Sequence, residues 1–483
     1  MWSITEAGGA LFVRIAAAIT ADIRRGALRA GDRLPSTREL ARRFGVNRNT
    51  VVAAYDELGA QGWIASRGAA GTFVAGELPD RFADRPARRP AGPAPAGIPA
   101  RPAFELRSIA PPASLGPPEA RYQLSAGVPD TRLFPHAVVA RAYRRALRSP
   151  GGRAALDYAD PCGSPRLRAA IAAMLRETRG VPAGVENVMI TRGSQLALEL
   201  AARLLVRPGD VAAVEELGYQ PAWRALEEAG AQLAPVALDG AGLVTDALAP
   251  LAARCLYTTP HHQYPTAVLM SPARRLALLE HARARRLAII EDDYDHEFHF
   301  DGRPVAPLAA ADRAGSVIYV GTLSKILAPG LRLGFVAAPP RVIEQLARLR
   351  FLVDRQGDHV LEHAIAELVE DGELGRHARK MRRIYAGRRD ALVSALRRDL
   401  GGALSFSLPA GGMTLWARVD PAIRLDAWRQ RALARGVAVA AARDFDLGRR
   451  PLPFLRLAFA RHDEAELADA VRRLRRALAD SRR

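Results

Sequence analysis

Cysteine is scarce in this chain, and long apolar runs are missing from it. Cys162 and Cys255 are the only cysteines among 483 residues, and they stand far apart without the spacing of metal ligands. The sequence therefore predicts no disulfide framework and no metal site. No apolar run reaches the length of a membrane span, and the first apolar stretch, residues 10–19, is interrupted by Arg14 and lacks a cleavage-site pattern. We expect a cytoplasmic protein with reduced thiols and no membrane partner.

Lysine is also scarce, although the chain is strongly basic. The formal net charge is +19, yet only Lys325 and Lys380 of the 70 basic residues are lysines. An excess of positive charge favours an anionic partner such as nucleic acid. In a chain this rich in Arg, Ala, Gly and Pro, part of that excess reflects codon composition. Charge alone leaves the partner open.

Composition divides the chain into three regions. Residues 8–77 have helical periodicity and end in a short stretch punctuated by glycine, whereas residues 78–120 contain 11 of the 34 prolines and read as a semi-extended linker. From 121 to 483, apolar helical stretches alternate with short β-rich runs. These runs include Val188–Ile190, Val211–Val214, Leu287–Ile290, Val317–Val320 and Gly334–Ala337. The alternation predicts an α/β domain with a mainly parallel sheet.

The first region contains a helix–turn–helix pattern. Ser36 and Glu39 form a capping box at the start of one helix, and Gly45 supplies the turn. A second helix, from about 47 to 58, has one apolar face for the core: Val51, Ala54, Tyr55 and Leu58. Two short strands around a turn at Arg67–Gly68 follow, as in a winged hairpin. A plain three-helix module with exposed polar residues fits these features equally well.

The first turn of the second helix carries Asn47, Arg48, Asn49 and Thr50, groups suited to phosphates and a guanine edge in the major groove. Residues 31–74, "GDRLPSTRELARRFGVNRNTVVAAYDELGAQGWIASRGAAGTFV", resemble the winged helix–turn–helix of the GntR family over nearly all their length. The resemblance implies binding to double-stranded operator DNA. By position it implies operator contacts from Arg38, Arg48, Asn49 and Thr50, and a wing tip at Arg67 and Gly68. Val52 stands where some members have another arginine.

Lys325 differs from Lys380 in its surroundings. Lys380 lies in "RHARKMRRIYAGRR", a basic helical face, and we interpret it as a solvated charge. Lys325 lies in "IYVGTLSKILAPGLRLGF", between a β-rich run and a Gly/Pro turn. Thr322, Ser324 and Arg332 around it form a candidate phosphate cradle.

Three other segments complete a candidate site for pyridoxal phosphate (PLP). That cofactor needs an amine, a carboxylate beside its pyridine nitrogen, an anion cradle and a stacking partner. The segment "LAIIEDDYDHEF" places a buried strand before Asp292, the candidate carboxylate, and Tyr294 is a candidate partner for the phenolic oxygen. We expect Asp293, Asp295 and Glu297 to form an exposed acidic loop. Gly193, Ser194 and Gln195 open a helix whose amides suit a phosphate, although such turns are common. Tyr219 in "EELGYQPAW" is either a ring-stacking residue or a core aromatic.

In this order and spacing, residues 121–478 resemble the fold-type I aminotransferases of the aspartate aminotransferase superfamily. The resemblance implies a large and a small domain with PLP on Lys325. In "LDYADPCGSPRLRAAIAAML", Tyr158 would reach the phosphate of the partner subunit. "TPHHQYPTAVLM" has Tyr264 where the family has Asn, so His262 or Gln263 is expected to replace that contact. In "FLRLAFA", Arg456 corresponds to the arginine that binds the substrate carboxylate, or is a strand-end surface arginine.

The whole arrangement resembles the MocR/GabR family of PLP-dependent regulators. That resemblance implies a homodimer, head-to-tail, reading a repeated operator. The effector is expected to be an amino acid or related amino compound that displaces Lys325 as an external aldimine and places its anionic group on Arg456. Two alternatives stay open: a working aminotransferase with a vestigial DNA-binding domain, and a regulator that senses PLP itself.

Overall fold

A computed structural model describes residues 10–79, 101–106, 120–302 and 304–481. The chain divides into two compact units, residues 1–109 and 110–483. Most of the expected linker at 78–120 lies outside the described residues. No helix within the described ranges is long and apolar enough to cross a bilayer.

The first unit is a three-helix module followed by a two-stranded hairpin. Its elements are α1 (Leu11–Arg24), α2 (Thr37–Phe44), α3 (Arg48–Ala60), β1 (Ile64–Ser66) and β2 (Thr72–Val74). The two strands are antiparallel, with Ile64 opposite Val74. Apolar side chains of all three helices and both strands form one core, which includes the predicted face of α3. The predicted winged helix–turn–helix is confirmed.

Local side-chain chemistry fixes the turn between α2 and α3. The Ser36 hydroxyl accepts a hydrogen bond from the Glu39 amide at 3.2 Å, and Gly45 ends α2 with a φ of 62°. Glycine adopts this left-handed conformation without a Cβ penalty. The Asn47 side chain then caps α3 by accepting from the Asn49 amide at 2.9 Å. These caps satisfy backbone donors that a helix start leaves without partners.

The second unit is built on a seven-stranded sheet. In spatial order its strands are β4 (Val188–Thr191), β12 (Gly334–Ala337), β11 (Val317–Thr322), β10 (Ala288–Asp293), β9 (Ala253–Thr258), β5 (Val211–Glu215) and β6 (Gln232–Val236). Within this sheet, β12 is the one strand that runs opposite to the other six. The mainly parallel sheet predicted from the sequence is therefore confirmed, and each of the five β-rich runs contributes a strand.

Helices cover both faces of this sheet. Two separate apolar cores, one containing Leu167 and Ile365 and the other Leu198 and Leu346, pack against it. The helices of the second unit are α4 (His136–Arg148), α5 (Pro150–Ala154), α6 (Pro165–Met174), α7 (Gly193–Leu205), α8 (Gln220–Glu228), α9 (Pro272–Arg285), α10 (Leu308–Ala311), α11 (Pro340–Val353), α12 (His359–Glu370), α13 (Glu373–Leu400), α14 (Leu425–Ala434) and α15 (Glu464–Ser481). Burial on both faces explains why the strands read as continuous apolar runs.

A smaller antiparallel sheet lies against the last three helices. Its order is β13 (Leu404–Ser405), β14 (Thr414–Val419), β17 (Phe454–Ala458) and β16 (Ala440–Ala441). Two-residue strands complete the unit: β3 (Tyr122–Gln123) with β15 (Val437–Ala438), and β7 (Leu238–Asp239) with β8 (Gly242–Leu243). A third core, containing Trp428 and Tyr385, holds this part together.

Candidate functional site

A cavity of about 300 Å³ lies where the parallel strands β9, β10 and β11 end. Ligands of open α/β sheets bind at this carboxyl edge, because strand ends and helix starts meet there. The residues that line the cavity include nine of the predicted site residues: Ser194, Tyr219, Asp292, Tyr294, Thr322, Ser324, Lys325, Arg332 and Arg456.

Lys325 stands on the turn that follows β11. The Thr322 hydroxyl accepts a hydrogen bond from the Ser324 amide at 3.1 Å, and the Leu323 amide donates to the Leu333 carbonyl. The Lys325 ammonium donates to the Gly127 carbonyl at 2.7 Å. Burial, with the nearby charge of Arg456, lowers the pKa of Lys325 to about 8. The lowered pKa makes the neutral, nucleophilic amine more accessible near physiological pH than it is for an exposed lysine.

Asp292 is held at the end of β10 by a residue of the neighbouring strand. Tyr257 on β9 donates to Asp292 Oδ2 at 2.9 Å, whereas the buried Oδ1 has no hydrogen-bond partner among the described residues. Burial raises the pKa of Asp292 to about 7, and the Tyr257 hydrogen bond opposes that rise. A buried carboxylate oxygen without a partner is costly, so the site is suited to a cationic or N–H donor ligand.

The start of α7 lies close to Arg332, where the sequence predicted an anion cradle. Gly193 has a φ of +71°, and a Cβ there would lie 3.0 Å from the Arg332 guanidinium carbon. A Cβ on Gly334 would lie 2.8 Å from the Ser194 amide nitrogen. Because neither glycine has a side chain, the strand β12, the Arg332 guanidinium and the N-terminus of α7 can approach one another closely. The backbone amides and the positive end of the helix dipole at the N-terminus of α7 favour the binding of a phosphate.

Arg456 enters the same cavity from β17. It is 3% exposed, and its Nη1 donates to the Ser125 carbonyl at 3.1 Å, while its Nε has no partner within the described ranges. Its guanidinium carbon lies 4.5 Å from the centre of the Tyr264 ring. The reading of Arg456 as a strand-end surface arginine is wrong, since the side chain is buried and lines the cavity.

Four predicted residues do not line the cavity. Gly193 lies behind Arg332, and Gln195 donates to the Pro221 carbonyl at 3.1 Å. His262 pairs with Asp295 outside the cavity. Of the three residues 262–264, it is Tyr264 that lines the cavity, in place of the expected His262 or Gln263. Tyr158 is 75% exposed, and the Arg355 guanidinium lies 3.9 Å from its ring centre.

The expected exposed acidic loop after Asp292 is wrong, since none of its three residues is exposed. Asp293 is buried and accepts from the Tyr319 hydroxyl at 2.6 Å, and Asp295 is buried against His262 at 2.7 Å. Glu297 is partly buried and pairs with Arg179. The acidic run looked solvated in the sequence because its partners come from distant segments.

Sequence reasoning missed two contributions to the site. Tyr257 lies on the apolar strand β9, and its hydrogen bond to Asp292 depends on the register between β9 and β10. Gly127 offers only a carbonyl, and a Cβ there would lie 3.0 Å from Arg456 Nη2. Neither residue belongs to a pattern that a single sequence displays.

In the first unit, most of the predicted DNA-contacting residues are exposed. Arg38, Asn47, Arg48 and Asn49 are exposed, and Thr50 is half-buried. Arg48 Nε is 3.4 Å from the Thr37 hydroxyl, which ties the start of α3 to α2. Arg67 and Gly68 are exposed at the hairpin tip, where the Arg67 guanidinium lies 5.0 Å from the Phe73 ring centre.

Comparisons with known proteins agree with both units. Residues 122–474 match the family described as aminotransferase class I and II, and residues 11–74 match the bacterial regulatory proteins of the gntR family. The chain is 36% identical over 419 residues to a probable rhizopine catabolism regulatory protein, MocR, from Rhizobium meliloti, which covers 87% of this chain and 84% of that protein. The chain belongs to the MocR-type regulators.

Another regulator and a solved aminotransferase are also similar to this MocR-type regulator. It is 33% identical over 481 residues to the HTH-type transcriptional regulator TauR from Rhodobacter capsulatus, covering 97% of each chain. Its fold is similar to that of LysN, the α-aminoadipate aminotransferase from Thermus thermophilus, solved in complex with N-(5′-phosphopyridoxyl)-L-leucine. That match has a TM-score of 0.69 at 30% identity and covers 74% of this chain and 92% of LysN. The second unit of this MocR-type regulator therefore has an aminotransferase fold, and that fold implies PLP as its cofactor.

Proposed function

We propose that this chain is a transcription regulator that binds PLP covalently through Lys325 and responds to an amino compound carrying an anionic group. The observation that carries the proposal is a single cavity in which the Lys325 amine, the Asp292 carboxylate, the start of α7 with Arg332, and Arg456 all take part. Each group has a distinct use for a ligand that is cationic at one end and anionic at the other.

The residues present fit the cofactor. Asp292, with an oxygen that lacks a partner, would hold a protonated pyridine nitrogen, and Ser194, Thr322, Ser324 and Arg332 would hold a phosphate. When bound, PLP supplies an aldehyde that condenses with primary amines. The lowered pKa of Lys325 favours the neutral amine that such condensation requires.

Arg456 supports an effector with a carboxylate or similar anion. Its guanidinium is fixed by the Ser125 carbonyl and by the Tyr264 ring, so little freedom is lost when an anion binds. A guanidinium pairs with a carboxylate through two parallel hydrogen bonds, which selects planar anions. The effector's amine would compete with Lys325, and its anion would pair with Arg456.

The DNA side of the proposal rests on the first unit. Arg38, Asn47, Arg48, Asn49 and Thr50 would meet the major groove, and Arg67 with Gly68 would meet the backbone beside it. We further propose a head-to-tail homodimer, because two recognition helices read a repeated operator. The exposed Tyr158 would then reach the phosphate of the partner subunit.

Borohydride reduction of the purified protein, followed by peptide mass spectrometry, tests the cofactor assignment. We expect a pyridoxyl label on Lys325, because it is the lysine that lines the cavity. The internal control is Lys380, which is exposed on α13. A label on Lys380, or an unlabelled protein, would remove the basis of the proposal. Steady release of keto acid in a parallel assay would favour the aminotransferase alternative.

A further inference from the structure

Four buried histidines form a cluster beside the cavity but outside its lining. His261 and His262 follow β9, and His296 and His299 follow β10. Each of the four is between 1% and 5% exposed. Because β9 and β10 are adjacent parallel strands, the segments after them emerge at the same edge of the sheet. This pairing brings together histidines whose spacing in the sequence gives no metal signature.

Three of these histidines have buried ring nitrogens without hydrogen-bond partners in the described part of the chain. These atoms are Nδ1 and Nε2 of His261, Nε2 of His262 and Nδ1 of His299. Buried polar atoms in folded proteins are nearly always paired. Unpaired nitrogens on three neighbouring rings therefore indicate a shared partner that accepts their lone pairs.

The three ring centroids form a compact triangle. The centroid of His261 lies 4.4 Å from that of His262 and 5.8 Å from that of His299, and the His262 and His299 centroids are 5.8 Å apart. Their candidate ligand atoms all lie within 4.8 Å of one another. Three imidazoles on a tetrahedral zinc ion, with Zn–N bonds of about 2.0–2.1 Å, have centroids roughly 5 Å apart. The cluster is thus close to the arrangement of a three-histidine site.

His262 also has the second contact typical of a metal-bound histidine. Its Nδ1 lies 2.7 Å from Asp295 Oδ1, so an Nδ1–H tautomer donates to the carboxylate and Nε2 is left as a ligand. Such carboxylate–histidine pairs fix the ring orientation and raise the basicity of the coordinating nitrogen. Gly411 packs against the Nε2 edge of His262, where a Cβ would lie 2.3 Å from Nε2, so the ring has room there only because residue 411 has no side chain.

We propose that His261, His262 and His299 bind a divalent transition-metal ion of the Zn²⁺ type, with a fourth position for water. A second grouping, His261 with Asp293 and His296, is less suited. Asp293 Oδ1 has no partner among the described residues, but Oδ2 accepts from the Tyr319 hydroxyl at 2.6 Å and contacts His296 Nδ1 at 2.8 Å, and His296 adds no buried ring nitrogen that lacks a partner there. The ion would act on the neighbouring cavity through Asp295, which lines that cavity and pairs with His262.

The test is a metal titration of tag-free, full-length protein after treatment with a chelator. Zn²⁺ is titrated against a chromophoric chelator, and Co²⁺ is added in parallel to record the visible absorption of tetrahedral cobalt. We expect one ion per chain in wild type, with a tetrahedral cobalt spectrum. His299→Gln should weaken Zn²⁺ binding at least tenfold, and Asp295→Asn should weaken it about 10- to 100-fold.

His281→Gln is the matched control, because His281 lies on α9 outside the cluster. It should keep the wild-type affinity. Melting curves of each variant show whether a loss of binding reflects unfolding, and the wild-type stoichiometry and cobalt spectrum decide the question if a variant fails to fold. Wild type that takes up less than one ion per chain at micromolar Zn²⁺, or binds with the same affinity as folded His299→Gln, would overturn the proposal.

Discussion

Arg456 and Lys325 reach one cavity from different sheets, and each has a backbone carbonyl partner there. Lys325 contacts Gly127 and Arg456 contacts Ser125, so one short segment orients both cations. This arrangement keeps the two positive groups fixed at separate points. In the proposed site, the amine of a ligand would take the place of Lys325 on the cofactor, and its anion would pair with Arg456.

Replacing Arg456 by Ala should remove the anion contact and leave the cofactor in place. Charged hydrogen bonds contribute about 1.5–3 kcal/mol, so binding of the amino acid that most perturbs the cofactor absorbance should weaken roughly 10- to 100-fold. Absorbance titration measures both the cofactor and the ligand. Arg418→Ala is the control, because Arg418 is exposed on the adjacent strand β14. Unchanged ligand affinity in Arg456→Ala would place the anion contact elsewhere.

Asp292 should make the cofactor-free protein less stable as pH rises. Burial raises the folded-state pKa of Asp292 from 3.8 to about 7, so the unfolded state holds fewer protons between those two pH values. Its stabilising contribution is present below about pH 4 and is lost as pH rises through about 7. Melting curves of cofactor-free wild type and Asp292→Asn at pH 5 and 7.5 should diverge, with the variant relatively more stable at 7.5. Parallel curves would contradict the shift.

At the scale of elements, α3 and the hairpin tip should contribute to DNA binding in different ways. Arg48 opens α3, where a base-edge contact is worth about 1–3 kcal/mol, so Arg48→Ala should relax sequence preference at one operator position. Arg67 lies at the hairpin tip, and Arg67→Ala should weaken binding to all DNA sequences alike and reduce the salt dependence of that binding. Anisotropy titrations over operator variants and salt concentrations separate these effects. Equal specificity of wild type and Arg48→Ala would refute the assignment of α3.

Sequence patterns predicted the elements well because the signals are local. The Ser36 cap, the Gly45 turn and the apolar runs of β4, β5 and β10–β12 depend on neighbours in the chain. Contacts across elements were less accessible. The Tyr257–Asp292 hydrogen bond depends on strand register, and the burial of Asp293 and Asp295 depends on partners from other segments. Lys325 was found because lysine is scarce, whereas the histidine cluster became apparent only in three dimensions.

At the scale of the whole molecule, one chain joins a DNA-binding unit to an aminotransferase unit. Ligand binding at one unit changes the other only through a difference in affinity between two states, typically 1–3 kcal/mol. A sensor of this kind requires the ligand to persist, because rapid conversion would remove the signal. In the sequence, the proline-rich segment 78–120 separates the two matched regions.

Reciprocity between operator and amino ligand tests the account most directly. The amino acid that most perturbs the cofactor absorbance is titrated with and without a duplex from the region upstream of the gene, and keto-acid release is followed in parallel. Coupling of about 1–3 kcal/mol predicts that the duplex changes ligand affinity about 5- to 150-fold, with little or no turnover. Equal affinity in both titrations, together with multiple turnovers per minute, would contradict regulation and identify a working aminotransferase.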